Sequence, residues 1–261
     1  MVDIDTLYEL IRSGDRNAID KALLPNIDYN QLNKLETPLL HIACAVEDPI
    51  SVEKILRYGG NPNSGGPNRI APLLCILQSP PIVQCPELDN FTKIVDLLLE
   101  AGADVNITGF DGRTPLMTAY HSIYIEKFIK PDAEINAQDK KGNTPLHHMI
   151  DQHSYCKDAV PKFDDIGYEH AQDLIKCMDL LIKAGADMDL ANENGDTPMS
   201  LAMQSQNKPL QELFMNAKDE IQNKAAKAFH ENARKEETAQ RNAAMKRALP
   251  NRKIGLPKRR R

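Results

Sequence analysis

The stretch LLLEAGADVNITGFDGRTPL, residues 97–116, joins a leucine-rich run to a second apolar segment through glycine, proline and polar turn residues. The run ends at Gly102, a residue that can adopt the left-handed conformation in which many helices terminate. Thr114 can accept a hydrogen bond from a free N–H at the start of the next helix, and Pro115 suits the first helical position because it has no N–H. The stretch therefore predicts a helix, a turn and a second helix.

The same elements recur along the chain at a constant spacing. Segments similar to Thr114-Pro115-Leu116 begin at Thr37, Ala71, Thr144 and Thr197. A helix-ending position precedes the anchor proline by thirteen residues in four pairs, which are Gly59 and Pro72, Gly102 and Pro115, Asp132 and Pro145, and Gly185 and Pro198. A fixed period of this kind predicts an array of stacked structural repeats.

This pattern resembles the ankyrin repeat, a unit of about 33 residues with a β-turn finger and two antiparallel helices. The resemblance covers residues 5–217 and implies an all-α solenoid of five to six repeats. The sequence departs from the family pattern in places. The family histidine after Thr-Pro-Leu is present only as His147, and the alanine two positions later only as Ala119 and Ala202.

Distances between anchor prolines and helix-ending residues locate insertions. The distance is 21 residues from Pro38 to Gly59, 30 from Pro72 to Gly102 and 40 from Pro145 to Gly185. These values predict insertions at residues 79–91 and 152–172, between the two helices of a repeat, the second of which ends in a helix that enters Leu174. Pro115 to Asp132 is only 17 residues, so this repeat is shortened by about one helical turn.

Three segments with different charge are predicted. Residues 1–217 form the array, which begins with a capping repeat at residues 5–24, and carry 18 Lys/Arg and 32 Asp/Glu. Residues 218–249 form a charged helix that continues from a helix beginning near Lys208, and residues 250–261 form a disordered basic tail. From Lys218 onward there are 14 Lys/Arg and 5 Asp/Glu, so an acidic body precedes a basic end.

Composition narrows the class of protein. Five cysteines without regular spacing favour a reducing compartment over a disulfide framework. The first ten residues have no secretory pattern, and the apolar runs are too short to span a bilayer. Aromatic residues make up 5% of the chain, so we expect an aliphatic core that includes Leu97, Leu98, Leu180 and Leu181.

The resemblance also implies a binding surface, because ankyrin repeats bind proteins on the concave side through finger tips and the exposed face of the first helix. Matched positions are Phe110, Arg113 and His121 in the central repeat, Lys140, Asn143 and Asp151 in the next, and Glu193, Asp196 and Gln204 in the last. Phe110 is a natural interface anchor, although it could instead fold back over the neighbouring finger. For the charged tips, solvated positions without specificity are the favoured alternative.

No catalytic, cofactor or metal site is expected. The cluster of His147, His148, His153 and Cys156 matches no zinc spacing, and the remaining cysteines are typical of small buried side chains or a loop thiol. No nucleophile and base stand on a recognisable scaffold, so we expect a protein that is not an enzyme. Asn106 resembles finger asparagines that are hydroxylated in animal ankyrin proteins, or it bonds the hairpin backbone.

The basic end resembles a bipartite nuclear localisation signal. Its residues are Lys246, Arg247, Lys258, Arg259, Arg260 and Arg261. Two basic clusters on an extended linker could fill two acidic grooves of an import receptor. A generic solvated end, or contact with nucleic acid or anionic lipid, stays open.

Three functional hypotheses follow. The first is a non-enzymatic scaffold that binds a protein on its concave face and is cytoplasmic, nuclear or both. The second is a regulator that contacts nucleic acid through the basic tail. The third is an ankyrin effector that an intracellular bacterium secretes into a host cell. An enzyme hidden in the 152–172 insertion is the weakest alternative.

Overall fold

The computed structural model describes residues 3–66, 70–77, 88–159 and 166–248. Within these ranges the chain forms twelve α-helices and no β-strand. The helices are α1 (Ile4–Ser13), α2 (Arg16–Ala22), α3 (Leu39–Ala45), α4 (Pro49–Arg57), α5 (Pro72–Leu77), α6 (Leu88–Glu100), α7 (Pro115–Thr118), α8 (Ser122–Phe128), α9 (Pro145–Ala159), α10 (Ile166–Lys183), α11 (Pro198–Gln204) and α12 (Lys208–Ala248). The all-α prediction is confirmed.

The chain divides into two compact units, one that ends at Leu213 and one that begins at Phe214. In the first unit the helices are arranged in pairs, and each pair contacts the next. The first helices of the pairs, α1, α3, α5, α7, α9 and α11, pack in sequence order. The second helices pack alongside them, α4 against α6 and α8 against α10. This two-layer stack is the solenoid that the thirteen-residue spacing predicts.

Helix ends follow the predicted turn chemistry with one exception. Gly102 has φ of +87°, and Gly59 and Gly185 adopt the same left-handed conformation after α4 and α10. Asp132, which occupies the equivalent position, does not have a positive φ. Pro131 precedes it and α8 already ends at Phe128, so the repeat of α7 and α8 closes with a different turn. Repeats are numbered after the capping repeat, so that α3 and α4 form the first, α7 and α8 the third, and α11 with the start of α12 the fifth.

The anchor threonines lie at helix N-termini, but their side chains act differently. Thr197 accepts from the backbone N–H of Ser200 and forms a complete capping box. Thr114 makes no cap hydrogen bond, and its buried hydroxyl has no partner among the described residues. The predicted cap bond at Thr114 is therefore wrong. In the fourth repeat the equivalent hydroxyl, that of Thr144, is hydrogen-bonded to His147. In the third repeat Met117 occupies the position of this histidine.

The unequal repeats differ in their helices. In the third repeat α7 has only 4 residues, whereas α3 and α11 have 7 each, so the predicted shortening falls on the first helix. In the fourth repeat α9 has 15 residues and α10 has 18. The second insertion therefore lengthens both helices and enters Leu174 as part of α10, as expected. Residues 78–87 of the first insertion lie outside the described ranges.

The core is mainly aliphatic, as the composition predicts. Leu98 and Leu181 are fully buried, but Leu97 and Leu180 are only half-buried. Tyr29, Phe91, Tyr124 and Phe128 are buried as well. A single buried aromatic side chain covers about 150–250 Å², so each of these four contributes more buried area than a typical aliphatic residue. In the capping repeat, Leu7 and Ile11 are buried and the half-buried Leu10 lies beside them.

Four asparagines link successive repeats: Asn30, Asn63, Asn106 and Asn136. The Asn106 amide donates to the carbonyl of Asp132 at 2.8 Å and accepts from the backbone N–H of Glu134 at 2.8 Å. The other three make the same pair of bonds to the turn of the next repeat. The Asn106 side chain thus bonds the turn of the next repeat and not its own hairpin.

In the second unit, α12 continues from Phe214 to Ala248 without a break. The helix predicted from the absence of Gly and Pro is confirmed. Residues 218–241 are exposed throughout, including Ile221 at 50% and Phe229 at 72%. Pairs such as Glu231 and Lys235 one turn apart stabilise the exposed helix slightly.

Candidate functional site: the finger tips

The finger tips of the third, fourth and fifth repeats form one surface, residues 109–113, 138–143 and 191–196, here named the finger-tip surface. Backbone hydrogen bonds join adjacent tips. The N–H of Lys140 donates to the carbonyl of Asp111 at 3.0 Å, and the N–H of Glu193 donates to the carbonyl of Lys141 at 3.0 Å. The three tips are therefore held at fixed spacing.

Each tip is also closed by its own side chains. The Asp139 carboxylate accepts from the backbone N–H groups of Lys141 and Asn143 at 2.8 and 2.9 Å. Asn192 accepts in the same way from Asn194 and Asp196, at 3.0 Å each. Side-chain bonds of this kind replace the backbone partners that a tight turn lacks.

Phe110 is the most exposed large apolar side chain on this surface, at 74%. The ammonium group of Lys140, from the next finger, lies 4.4 Å from its ring centroid. A cation over an aromatic face is attracted by the ring quadrupole, by about 0.5–1 kcal/mol at an exposed site. Phe110 thus contacts the neighbouring finger and also presents most of its ring to solvent. The two predicted residues Phe110 and Lys140 are brought together.

Asp139 and His148 form a buried pair behind the fourth tip, with Nε2 of His148 2.9 Å from the carboxylate and side chains 7% and 4% exposed. Burial lowers the pKa of His148, and the Arg113 guanidinium lowers it further. Burial acts to raise the pKa of Asp139, but hydrogen bonds from Asn143, Lys141 and His148 outweigh it and lower the pKa. At neutral pH a neutral His148 therefore donates to an ionised Asp139.

Arg113 lies at the base of the third tip and pairs with Asp111, its Nε 2.9 Å from the carboxylate. The positive charge of Arg113 lowers the pKa of Tyr120, but burial outweighs it and raises that pKa. Arg113 is half-buried. The predicted binding residue is therefore oriented within its own finger and already has a carboxylate partner.

Two predicted residues make hydrogen bonds between neighbouring repeats. Asn143 accepts from Nδ2 of Asn192 at 2.9 Å. The backbone carbonyl of Asp196 accepts from Nε2 of His147, at 3.0 Å. Both residues are half-buried. Their contacts stabilise the array, and a role in binding a partner stays a prediction.

His121 does not lie on the first helix, where the family pattern placed it. Because α7 ends at Thr118, His121 is the residue before α8. Its Nδ1 is 2.7 Å from the carboxylate of Asp173, and its side chain is 14% exposed. Asp173 also accepts from the N–H and the hydroxyl of Ser122. Placement of His121 on the first helix is therefore wrong, and its binding role stays a prediction.

Asp151, Glu193 and Gln204 are exposed, as predicted. The described side chains make no ion pair with Glu193 or with Asp151. Exposure makes these residues available to a partner without assigning one. Of the basic end, Lys246 and Arg247 lie in the last turn of α12, and residues 249–261 lie outside the described ranges.

The sequence pattern missed the role of His41. This residue is one position beyond the family histidine, and its Nε2 donates to the carbonyl of Ile70 at 2.7 Å. His147 makes the equivalent bond to Asp196, the residue before Thr197. Ile70 likewise precedes the anchor segment that begins at Ala71. His41 therefore makes the same hydrogen bond as His147, although it lies one position later in its helix. A search that allowed one residue of slip would have found it.

No group of three or more possible metal ligands occurs among the described residues. The Nδ1 atom of His147 accepts from the backbone of Thr144, and Nε2 of His153 is 3.1 Å from Asn207. The Cys156 side chain lies outside the described part. Cys44 and Cys177 are buried, and burial raises the pKa of each thiol.

Two solved structures similar to this chain are described as an ankyrin repeat protein and an ankyrin repeat domain. EF0377, described as an ankyrin repeat protein, matches with a TM-score of 0.65 and 16% identity over 82% of this chain and 98% of its own. An ankyrin repeat domain from Acinetobacter baumannii AYE gives a TM-score of 0.65 and 20% identity over 82% of this chain and 98% of its own. A third structure is that of the Bd0816 predatory endopeptidase from Bdellovibrio bacteriovorus in complex with immunity protein Bd3460. It matches with a TM-score of 0.59 and 21% identity over 80% of this chain and 96% of its own. This chain has the fold of an ankyrin repeat protein.

Curated relatives are longer than this chain, and those named here are each less than 30% identical to it. A tyrosine-protein kinase HTK16 from Hydra vulgaris is 26% identical over 68% of this chain, and the nuclear factor NF-kappa-B p105 subunit of Gallus gallus is 24% identical over 76%. Human palmitoyltransferase ZDHHC13 is 29% identical over 40%. The chain spans only 14% to 20% of these proteins. No protein-family model matches it. In the described part of the chain, no helix has the length and apolar character that crossing a membrane requires.

Proposed function

We propose that this chain is a non-enzymatic scaffold that binds a partner protein across the finger-tip surface. The ankyrin repeat fold supports a role in protein–protein interaction, and one similar structure is that of a protein complex. The observation that carries the proposal is the exposed Phe110 ring, 74% exposed and held by Lys140. Exposed aromatic side chains on a rigid support are frequent binding hot spots.

The rigid tips favour binding further. Side chains and loops that are ordered only in a complex lower affinity, by about 0.5–1.5 kcal/mol for each immobilised side chain. Here the backbone bonds between Lys140 and Asp111, and between Glu193 and Lys141, order the tips before a partner arrives.

Affinity purification with the full chain tests the proposal. A variant with Phe110→Ala, Arg113→Ala and Lys140→Ala removes three of the predicted binding side chains of this surface. Phe229→Ala is a matched control, because this ring is equally exposed, at 72%, but lies on α12. Proteins that bind the wild type and the control but not the triple variant support the proposal once purified partner reproduces the binding. Equal retention by all three chains contradicts it.

We propose in addition that the basic end directs the chain to the nucleus. Support comes from the sequence, in which two basic clusters are ten residues apart. The first cluster lies at the end of α12, where terminal turns fray readily. A full-length fluorescent fusion in which residues 258–261 are changed to alanine is expected to lose nuclear accumulation. An unchanged distribution excludes import through this segment.

A further inference from the structure

The three finger tips differ in chemistry in a definite order. The third presents the apolar ring of Phe110, the fourth presents Lys140 and Lys141, and the fifth presents Glu193. The fourth tip contains an acidic residue, Asp139, but its carboxylate is 4% exposed and receives the bond from His148. The solvent-facing charge of this tip is therefore positive.

The two lysines of the fourth tip are not neutralised by the described residues. Lys140 contacts the Phe110 ring, and no described carboxylate lies within ion-pair distance of Lys140 or Lys141. Asp111, the nearest acidic tip residue on the third finger, is paired with Arg113. A positive tip of this kind complements an acidic side chain of a partner, and it lies on a body with 32 Asp/Glu and 18 Lys/Arg in residues 1–217.

The spacing of the tips sets the spacing of the groups that would meet them. Helices of neighbouring repeats pack about 8–10 Å apart, and the tips are tied to each other by backbone bonds. An extended chain advances about 3.3 Å per residue. One finger therefore corresponds to about three residues of an extended segment.

We infer that the finger-tip surface binds an extended segment of a partner protein in which an apolar, an acidic and a basic side chain follow one another at intervals of about three residues. The apolar side chain packs on Phe110, the acidic one contacts Lys140 and Lys141, and the basic one contacts Glu193. This inference rests on the proposed function and adds the chemistry of the partner.

Charge separates this occupant from a polyanion. A nucleic acid or an anionic bilayer presents negative charge along the whole surface, so it would meet Glu193 and the exposed Asp151 as well as the lysines. A segment of mixed charge satisfies both signs. The order of the three tips thus favours a peptide.

Selection from a phage-displayed library of random linear 16-residue peptides, with the full chain as target, tests the inference. We expect enriched peptides to share an aromatic or aliphatic residue about three positions from Asp or Glu, with Lys or Arg about three positions beyond. Synthetic peptides from the selection are then measured by fluorescence anisotropy. Phe110→Ala is expected to weaken binding about tenfold, and the matched Phe229→Ala control to leave it unchanged.

A charge-reversal variant is expected to gain binding to a new peptide, which an unfolded variant would not do. The double variant with Lys140→Glu and Lys141→Glu is expected to lose the selected peptides and to bind versions in which the acidic residue is replaced by Lys. Enrichment of basic peptides by the wild type overturns the inference, and so does the absence of any enriched peptide. Peptides of another composition that depend on Phe110 also overturn it, but they leave the proposed function intact.

Discussion

At the scale of single residues, Asp173 shows how one carboxylate organises a repeat junction. It accepts from Nδ1 of His121 at 2.7 Å and from the N–H and hydroxyl of Ser122 at 2.9 and 2.6 Å. It therefore ties α10 to the N-terminus of α8. Burial acts to raise the pKa of Asp173, but the bonds from His121 and Ser122 outweigh it and lower the pKa to about 2.

The lowered pKa of Asp173 predicts how the stability of the fold depends on pH. Since the folded-state pKa of about 2 lies below the ordinary value of 3.8, the bonds stabilise the fold by about 2 kcal/mol at neutral pH. That contribution is complete above pH 4 and is lost as the pH falls from about 4 towards 2. We expect Asp173→Asn to be destabilised by about 2 kcal/mol at pH 7 and by clearly less at pH 3, measured by urea unfolding.

Asp96→Asn is the control for Asp173. Asp96 pairs with Lys127, also between second-layer helices, but it is 44% exposed, so the loss is expected to be at most about 1 kcal/mol. Equal losses in the two variants, or a loss at Asp173 that does not change with pH, would contradict the assignment.

At the scale of elements, close packing of adjacent fingers depends on a glycine. Gly142 has φ of +75°, and a Cβ there would lie 2.9 Å from the backbone nitrogen of Glu193. Gly195 has φ of +82°, and a Cβ there would meet nothing within 4 Å. The two residues share the backbone strain that a side chain would cause, but only Gly142 adjoins another finger.

Substitution of these two glycines distinguishes the cost of backbone strain from the cost of a clash with the next finger. Gly195→Ala is expected to cost about 1–2 kcal/mol, the ordinary penalty of a left-handed conformation. Gly142→Ala is expected to cost about 1–3 kcal/mol more, because the methyl group displaces the next finger. Thermal unfolding of both variants measures the difference. Equal midpoints would show that the fingers can separate without loss of stability.

At the scale of the whole molecule, the asparagine bonds explain how unequal repeats keep one register. Each bonded asparagine needs both a donor and an acceptor, because it meets a carbonyl and an N–H of the next turn. The equivalent position in the last turn is Asp189, whose carboxylate cannot donate. No repeat of the described array follows it, and its own N–H is bonded to Asp187.

Asn106→Asp therefore tests the coupling between repeats. The carboxylate keeps the bond from Glu134 but faces the carbonyl of Asp132, so we expect a loss of about 1–3 kcal/mol. Asp189→Asn is the matched reverse change and is expected to shift stability by less than about 0.5 kcal/mol. Hydrogen exchange should show faster opening of the turn at residues 132–136 in Asn106→Asp. Unchanged exchange there would argue that the asparagine bonds do not couple the repeats.

Much of this fold could be predicted because its determinants are local. Gly102, Pro115 and the leucines around them act through helix ends and helix faces, and each signal lies within about twenty residues of the next. The long helix α12 was evident from the absence of Gly and Pro between residues 210 and 249. The exposure of Phe110 followed from its place at a turn.

Contacts between repeats were beyond prediction because they join residues far apart in sequence. Asp173 reaches Ser122 across 51 positions, and His41 reaches Ile70 across 29. The missing turn could have fallen in either helix of the repeat. It falls in α7, and His121 therefore lies at the start of α8 and not on the first helix. The length of the repeat shows that one helical turn is missing, but it does not show which helix lacks that turn.

The sequence by itself thus determined the repeat, its period and the helices, since propensity, caps and hydrophobic spacing are properties of the local chain. Only the tertiary structure decided which polar groups meet. Burying a polar group without a partner costs free energy, and for His41 and Asp173 the partner comes from a neighbouring repeat. The same rule accounts for the bond between Asp139 and His148, whereas Lys140 and Lys141 face solvent and Lys140 lies over the Phe110 ring.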